Sequence, residues 1–391
     1  MAPINPPASS ATSEAHCRSL AELRDALARA PAIAQGVERL TLAALPTAVE
    51  CAEGLELLAE PGSWSLEALR LAACPLEAAG LAALGAALRR HGGWEAELDA
   101  EGREGAGGRG EAQLQESVLP DARDDDDDDD LGFSLFDASC AGAGEGAAEV
   151  SDPVEMPPPP SGLRSLAIVD CPGVPADAWS PLWRDLPSSL TQLDLSRNGL
   201  SDHAVNAVCG AFRGRHCPES LVLQGNRCKD VERLCVLIEG GGLHALDLTD
   251  NLLNDKSIVQ LCDALSSPKS ALASLKLSRN HRVTASGHRR LAEQLPQSRL
   301  RSLALDETAL CDAGAAALAA AMPRCTLDEL RAEATRVSHA GARLLLEAAQ
   351  ASQGVRSICV DEGDQRVRWR RCSDPADMLS FAGPAAYCDW C

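Results

Sequence analysis

The chain has 391 residues, enough for two or three average domains or one elongated repeat array, and is 45% apolar but only 3% aromatic. A core of Leu, Ala, Val and Cys is therefore expected. The formal net charge of -21 is local: residues 93–160 hold 20 Asp or Glu against 3 Lys or Arg, leaving -4 for the rest, and with few aromatics for base stacking this argues against nucleic-acid binding as the main role.

Residues 1–19 show no charged stretch followed by an apolar run, so a disordered N-terminus without an export signal is expected. No segment is long and apolar enough to span a membrane. The 16 cysteines should then remain thiols in a reducing compartment, the cytoplasm with the nucleus as the alternative. Several recur at matching positions, as small buried apolar residues do.

Residues 20–92 contain two similar units, VERLTLAALPTAVECAEGLELLAE from Val37 and LEALRLAACPLEAAGLAALGAALRR from Leu66, 29 residues apart. Residues 93–161 break the pattern with Gly, Ala, Pro and acid, and EMPPPP reads as a stiff spacer into the strand that begins near Leu163. Such a segment cannot bury enough apolar surface to offset its ordering entropy, so disorder is expected. Its exception is DDDDDDDLGFSLFD, residues 124–137, which places two of the chain's four phenylalanines beside its densest negative charge. In a helix, Leu131 and Leu135 would be four residues apart and Phe133 and Phe136 three, an apolar patch with acid at its favourable N-terminal end.

That stretch resembles the C-terminal tail of the acidic ribosomal stalk proteins, an aspartate run leading into G-F-G-L-F-D. The resemblance implies a hook in which Asp128, Asp129 and Asp130 meet basic surfaces while Leu131, Phe133, Leu135 and Phe136 enter an apolar groove on translational GTPases or other partners. Ser134 replaces the second glycine, and the motif is internal, without a terminal carboxylate. Two other readings stay open: a solvated charge run with stray hydrophobics, and an acidic-hydrophobic motif for a different partner.

From residue 162 to 365 one unit recurs, beginning at Leu163, Leu190, Pro218, Leu243, Leu272, Leu300, Leu327 and Val355, with starts 25 to 29 residues apart. Each opens with L-x-x-L-x-L or a variant, whose alternation predicts a short strand with one buried face. The ninth position holds Asn198, Asn226, Asn251 or Asn280, replaced by Cys171 and Thr308, and by Cys74 upstream. A side-chain amide there can satisfy backbone groups in the turn. An amphipathic helix comes next, as in LCDAGAAALAAAM with Leu310, Ala315, Leu318 and Met322 near 3.6-residue spacing.

This pattern resembles the leucine-rich repeat family, in its ribonuclease-inhibitor-like class. The resemblance implies an α/β solenoid, a horseshoe with parallel strands on the concave face and helices on the convex one, interrupted by the acidic insertion. The two repeat blocks should stack directly, because an uncapped end exposes its core; separately capped domains are the alternative. Outward strand positions then form the candidate partner surface, including Asp194, Asp247, Lys276, Asp306, Glu329, Arg331 and Glu333, with Arg197 and Arg279 at the strand exits. Each of these is otherwise an ordinary solvated strand residue.

Residues 366–391 read as a cap or tail. RVRWRR, 366–371, alternates arginines and suits a cap, a phosphate contact or a dock for the acidic insert. CDWC, 388–391, has C-x-x-C spacing, but a structural zinc site wants four ligands and only Cys372 lies nearby. No nucleotide-binding, metalloprotease or nucleophile-elbow motif occurs, so neither an enzyme nor a cofactor is expected. The expectation is a monomeric scaffold for protein partners, a GTPase among the candidates. The alternative is a GTPase regulator: the chain is similar to Ran GTPase-activating proteins in joining such repeats to an acidic segment, although there the acid lies after the repeats. No catalytic residue carries over.

Overall fold

A computed structural model describes residues 14–29, 39–59, 66–91, 162–171, 174, 176–212, 217–362 and 365–371. All lie in one compact unit formed by Met1–Glu95 and Pro160–Cys391. The stalk-like stretch 124–137 and the terminal CDWC fall outside the described residues.

Twelve strands form one sheet in strict chain order: β1 (Glu14–Cys17), β2 (Arg39–Ala43), β3 (Ala68–Ala72), β4 (Ser165–Val169), β5 (Gln192–Asp194), β6 (Ser220–Val222), β7 (Ala245–Asp247), β8 (Ser274–Lys276), β9 (Ser302–Ala304), β10 (Glu329–Ala332), β11 (Ser357–Glu362) and β12 (Gln365–Arg370). Every pairing is parallel except β11 with β12. The helices are α1 (Leu20–Arg29), α2 (Ala48–Ala59), α3 (Ala78–His91), α4 (Ser180–Arg184), α5 (Asp202–Ala211), α6 (Glu232–Glu239), α7 (Asp255–Leu265), α8 (Ala285–Gln294), α9 (Asp312–Ala321) and α10 (His339–Ala351). Strands sit about 4.8 Å apart whereas helices are about 10 Å across, so helices of successive repeats need the longer arc and the sheet lines the inner face. The architecture expected from the repeats is the one observed.

β1 and α1 form a repeat, and β1 lies within residues 1–19, which the sequence pattern assigns to a disordered N-terminus. Glu14–Cys17 pairs in register with Arg39–Leu42. Four residues are too short for alternation to register as a strand signal, and β2 is what selects it.

β3 pairs with β4 from Ala68↔Ser165 to Ala72↔Val169, so sheet bonding crosses directly from one side of the 93–161 segment to the other. The helix layer closes the same junction. Arg89 of α3 forms an ion pair with Asp185 beyond α4, and a Cβ at Gly85 would lie 2.5 Å from an Asp185 carboxylate oxygen. Here α4 is only five residues long, continuing a 3-10 turn at Ala176–Trp179, and buried Trp179 and Trp183 stack with ring centroids 5.3 Å apart.

The asparagines connect neighbouring repeats. Asn226 donates to the Leu195 and Leu223 carbonyls at 3.0 and 2.9 Å and accepts from the Asn198 and Leu200 amides at 3.2 and 2.9 Å. Asn198, Asn251 and Asn280 bridge in the same sense. Thr308 and Thr335 bond only within their own repeats, at 2.7 Å to the Leu305 carbonyl and 3.2 Å to that of Ala332. A second set runs along the helix starts. Asp202 accepts from the Lys229 and Asp230 amides, Asp255 from Thr284, and Asp312 from Ser338, each carboxylate holding the next repeat. Glycine makes room for it: a Cβ at Gly287 would lie 2.6 Å from an Asp255 oxygen.

All twelve described cysteines are free thiols. Burial pushes Cys171 up to about 11 and Cys228, Cys235 and Cys262 up to about 12, as expected of cysteines used as small apolar residues.

Asn226→Ala strands buried backbone groups in two repeats, so it should cost about 2–4 kcal/mol, whereas Thr308→Ala should cost about 1 kcal/mol. Urea unfolding monitored by far-UV circular dichroism measures both. Equal losses would mean that the turn groups are satisfied in some other way.

Candidate concave-face site

The inner face changes character along the sheet. Outward residues of β2–β4 set Arg39 and Arg70 among small ones, Thr41, Ala43, Ala68, Ala72, Ser165 and Ala167, whereas from β7 onward charged residues of both signs predominate. There an open hollow of about 360 Å³ is lined by Asp247, Lys276, Arg279, Asp306, Arg331 and Glu333, among others.

Opposite charges on successive rungs pair sideways. Lys276 Nζ lies 3.1 Å from Asp247 and Arg331 Nη2 lies 3.1 Å from Asp306. Arg279 holds Glu307 through Nε and Nη2 at 3.0 and 2.8 Å, and that contact keeps its guanidinium above its ordinary value. Asp306 also accepts from the Glu333 amide at 2.9 Å, while its own amide donates to Ser278 Oγ at 3.1 Å. Glu333 receives Arg366 at 2.9 Å and Arg368 at 3.8 Å. Two residues expected to be outward and solvated are buried: Asp247 is 8% exposed and Glu333 5%. A concave face shelters the roots of its side chains, and paired arginines or lysine cover the carboxylates.

Asp194 and Arg197 lie outside this hollow. Asp194 accepts from the Ser196 amide at 3.0 Å, a bond within its own repeat. Glu329 does line the hollow and accepts from Ser302 at 3.3 Å. Gln224 and Ser302 also line the hollow, although the sequence pattern does not single them out, and Arg366, from the segment read as a cap, a phosphate contact or a dock for the acidic insert, joins them. Aligning the repeats position by position places Gln224 beside Thr249 and Ser302 beside Glu329. Hook residues Asp128, Asp129, Asp130, Leu131, Phe133, Leu135 and Phe136 lie outside the described residues.

The exits share one backbone state. Ala44, Ala73, Asp170, Arg197, Gly225, Asp250, Arg279, Glu307 and Ala334 all have φ between +51° and +68°. In these nine repeats the eighth position is left-handed, and its amide donates to the adjoining repeat, as Arg279 does to Asp306 and Glu307 to Glu333. This turn aims Arg279 and Glu307 at each other. Gly225 has a second reason to be glycine, because a Cβ there would lie 2.9 Å from Arg197 Cγ.

Among the described residues, no group of three or more His, Cys, Asp or Glu is placed to hold a metal ion, and no helix is long and apolar enough to cross a membrane. No protein-family model matches the chain. Human NACHT, LRR and PYD domains-containing protein 5 is 34% identical over 165 residues, 40% of this chain and 13% of that protein. Ribonuclease inhibitor from mouse is 32% identical over 179 residues, 43% of this chain and 38% of the inhibitor, and the pig inhibitor is 31% identical over 183 residues, 44% and 39%. The chain has the leucine-rich repeat solenoid fold and, over its repeats, is similar to these ribonuclease inhibitors. The matched part spans about two fifths or less of these curated relatives. Among solved structures, Rad7 from the yeast Rad7–Elc1 complex aligns over 87% of this chain and 76% of its own, at 13% identity and a TM-score of 0.42, too loose to bear on function.

Two residues, Ala334 at the hollow and His288 buried on α8, should have measurable effects on stability. Ala334 has φ +53° and no side chain beyond Cβ, so Ala334→Gly should stabilise the leucine-rich repeat protein by roughly 0.5–1 kcal/mol; an unchanged or lowered melting temperature would show that the left-handed exit costs nothing here. His288, 1% exposed, is pushed below its ordinary value by burial, partly offset by the Thr284 backbone and the charge of Asp255. Its folded pKa lies under the unfolded one, so the unfolded chain binds more protons between the two. Stability is complete above about pH 6.5 and falls as pH drops through the folded value. His288→Ala, the residue standing at Ala315 and Ala342, should flatten that slope in urea midpoints measured at two pH values; identical slopes would contradict the assignment.

Proposed function

We propose that this protein is a non-enzymatic scaffold that binds protein partners through the charged half of its concave face, β7 to β12, and through a separate acidic-hydrophobic segment, residues 124–137. One observation carries the first part: Lys276, Arg279, Arg331 and Arg366 are held in place by lateral ion pairs around an open hollow. Side chains already fixed by neighbours lose little freedom when a partner docks, and arginine is the charged residue enriched in binding hot spots. The ribonuclease inhibitors among the relatives are, by name, proteins that act on another protein, which supports a protein ligand. The second contact rests on sequence alone: Asp128, Asp129 and Asp130 with anchors Leu131, Phe133, Leu135 and Phe136.

Comparative affinity capture from lysate tests the two surfaces together, with the full chain as bait. Arg279→Ala/Arg331→Ala should lower recovery of the concave-face partners roughly tenfold or more, with a melting curve confirming the fold. Phe133→Ala/Phe136→Ala should remove a different set or weaken the same one. Identical recoveries across all three baits would overturn the proposal. A captured GTPase whose GTP hydrolysis is accelerated would replace it with the regulator reading.

A further inference from the structure

The sheet ends on β12, and among the described residues no strand pairs with its outer side. The register shows what that side presents. Arg371 lies opposite Arg356 and donates to its carbonyl at 2.7 Å. In an antiparallel pair, bonded and non-bonded positions alternate. With 371 bonded inward, Trp369 and Val367 are bonded inward as well, opposite Ile358 and Val360. Arg368 and Arg366 fall on the non-bonded positions, so their N–H and C=O groups point away from β11. Their side chains occupy the concave side, where both reach the carboxylate of Glu333 and Arg366 also lies directly opposite Asp361, while the two guanidiniums stay 58% and 64% exposed. Arg370 continues the row. Val367 and Trp369 face the other way, and Trp369 packs against the core.

We propose that the outer edge of β12 is a docking site for an extended strand of a protein partner with acidic residues at every second position. A strand added there bonds its backbone to residues 366 and 368, and its residues directly opposite point to the same face as those arginines. Carboxylates at those two places meet the two guanidiniums. The residue between them lies on the face of Val367 and Trp369, where an apolar side chain fits. A second copy of β12 is excluded as the occupant, because antiparallel self-pairing sets arginine against arginine. The same charge that deters self-association therefore selects an acidic strand.

The test uses the full chain and three labelled probes: a peptide alternating Glu with Val, a peptide of identical composition with its Glu clustered, and a single-stranded oligonucleotide. The alternating peptide is expected to bind most tightly by fluorescence anisotropy and to slow hydrogen exchange at the Arg366 and Arg368 amides. Arg368→Pro removes one outward N–H without touching an inward bond, so it should weaken binding about tenfold, more than Arg368→Ala does. If the proline variant unfolds, Arg366→Glu/Arg368→Glu serves instead, and should transfer preference to an alternating Lys peptide. Equal affinity for both acidic peptides, tighter binding of the oligonucleotide, or unchanged exchange at the two amides would overturn the proposal. Because the readout is the β12 backbone, its result is distinct from that of the variants in the hollow.

Discussion

Everything in this solenoid depends on how the chain leaves the sheet. Each strand is three to six residues long, after which the backbone must turn toward the helix layer through space that excludes water. The turn leaves amides and carbonyls that no helix or strand can satisfy. Two devices meet that demand. A left-handed residue aims its amide at the next repeat, and an asparagine behind it collects two carbonyls and one or two amides. Both send bonds into a neighbour, so a repeat in isolation would leave its turn unsatisfied, and stability is shared between adjacent units.

This dependence explains where a long acidic segment is tolerated. Residues 93–161 enter after α3 and return before β4, a helix-to-strand connection, and leave the strand exits on both sides intact. Asp170 keeps the left-handed geometry and donates to Ser196, while Ala73 donates to Val169 across the junction. An insertion at a strand exit would instead break both devices at once. The same lateral logic shapes the inner face. Once neighbouring exits are locked 25 to 29 residues apart in sequence, side chains one rung apart have fixed spacing, and charges of opposite sign settle into pairs such as Asp247 with Lys276. Rigidity at the turns thus becomes preorganisation at the surface.

The repeat period, strand positions and asparagines are legible in the sequence because each recurs many times. What escapes notice recurs in geometry but not in residue type. The left-handed position is filled by Ala, Asp, Arg and Glu as well as Gly225, so no glycine marks it. The lateral ion pairs are visible only once the repeats are aligned row by row, and the 25-residue step between Asp306 and Arg331 hides one of them. Arg89 with Asp185 spans 96 residues and the insertion, beyond any local pattern. Burial of Asp247 and Glu333 is not legible either, because alternation tells which face a side chain takes, not how much of that face its neighbours cover.

The two ends of such a sheet pose different problems, and the C-terminal solution has a built-in asymmetry. After β11 there is no further repeat to stack among the described residues, so β12 returns antiparallel across it. Arg371 then reaches back to carbonyls of Ala349, Gln350, Ser352 and Val355, supplying positive charge and donors where α10 ends. Core side chains and helix end are covered by a single short strand. A strand has two edges, however, and one that bonds inward at every second residue must leave the alternate residues facing out. Capping by a strand moves the open edge outward by one position without removing it. Arginine at the outward positions gives that edge a sign, and so the element that closes the fold also determines which chains can extend it.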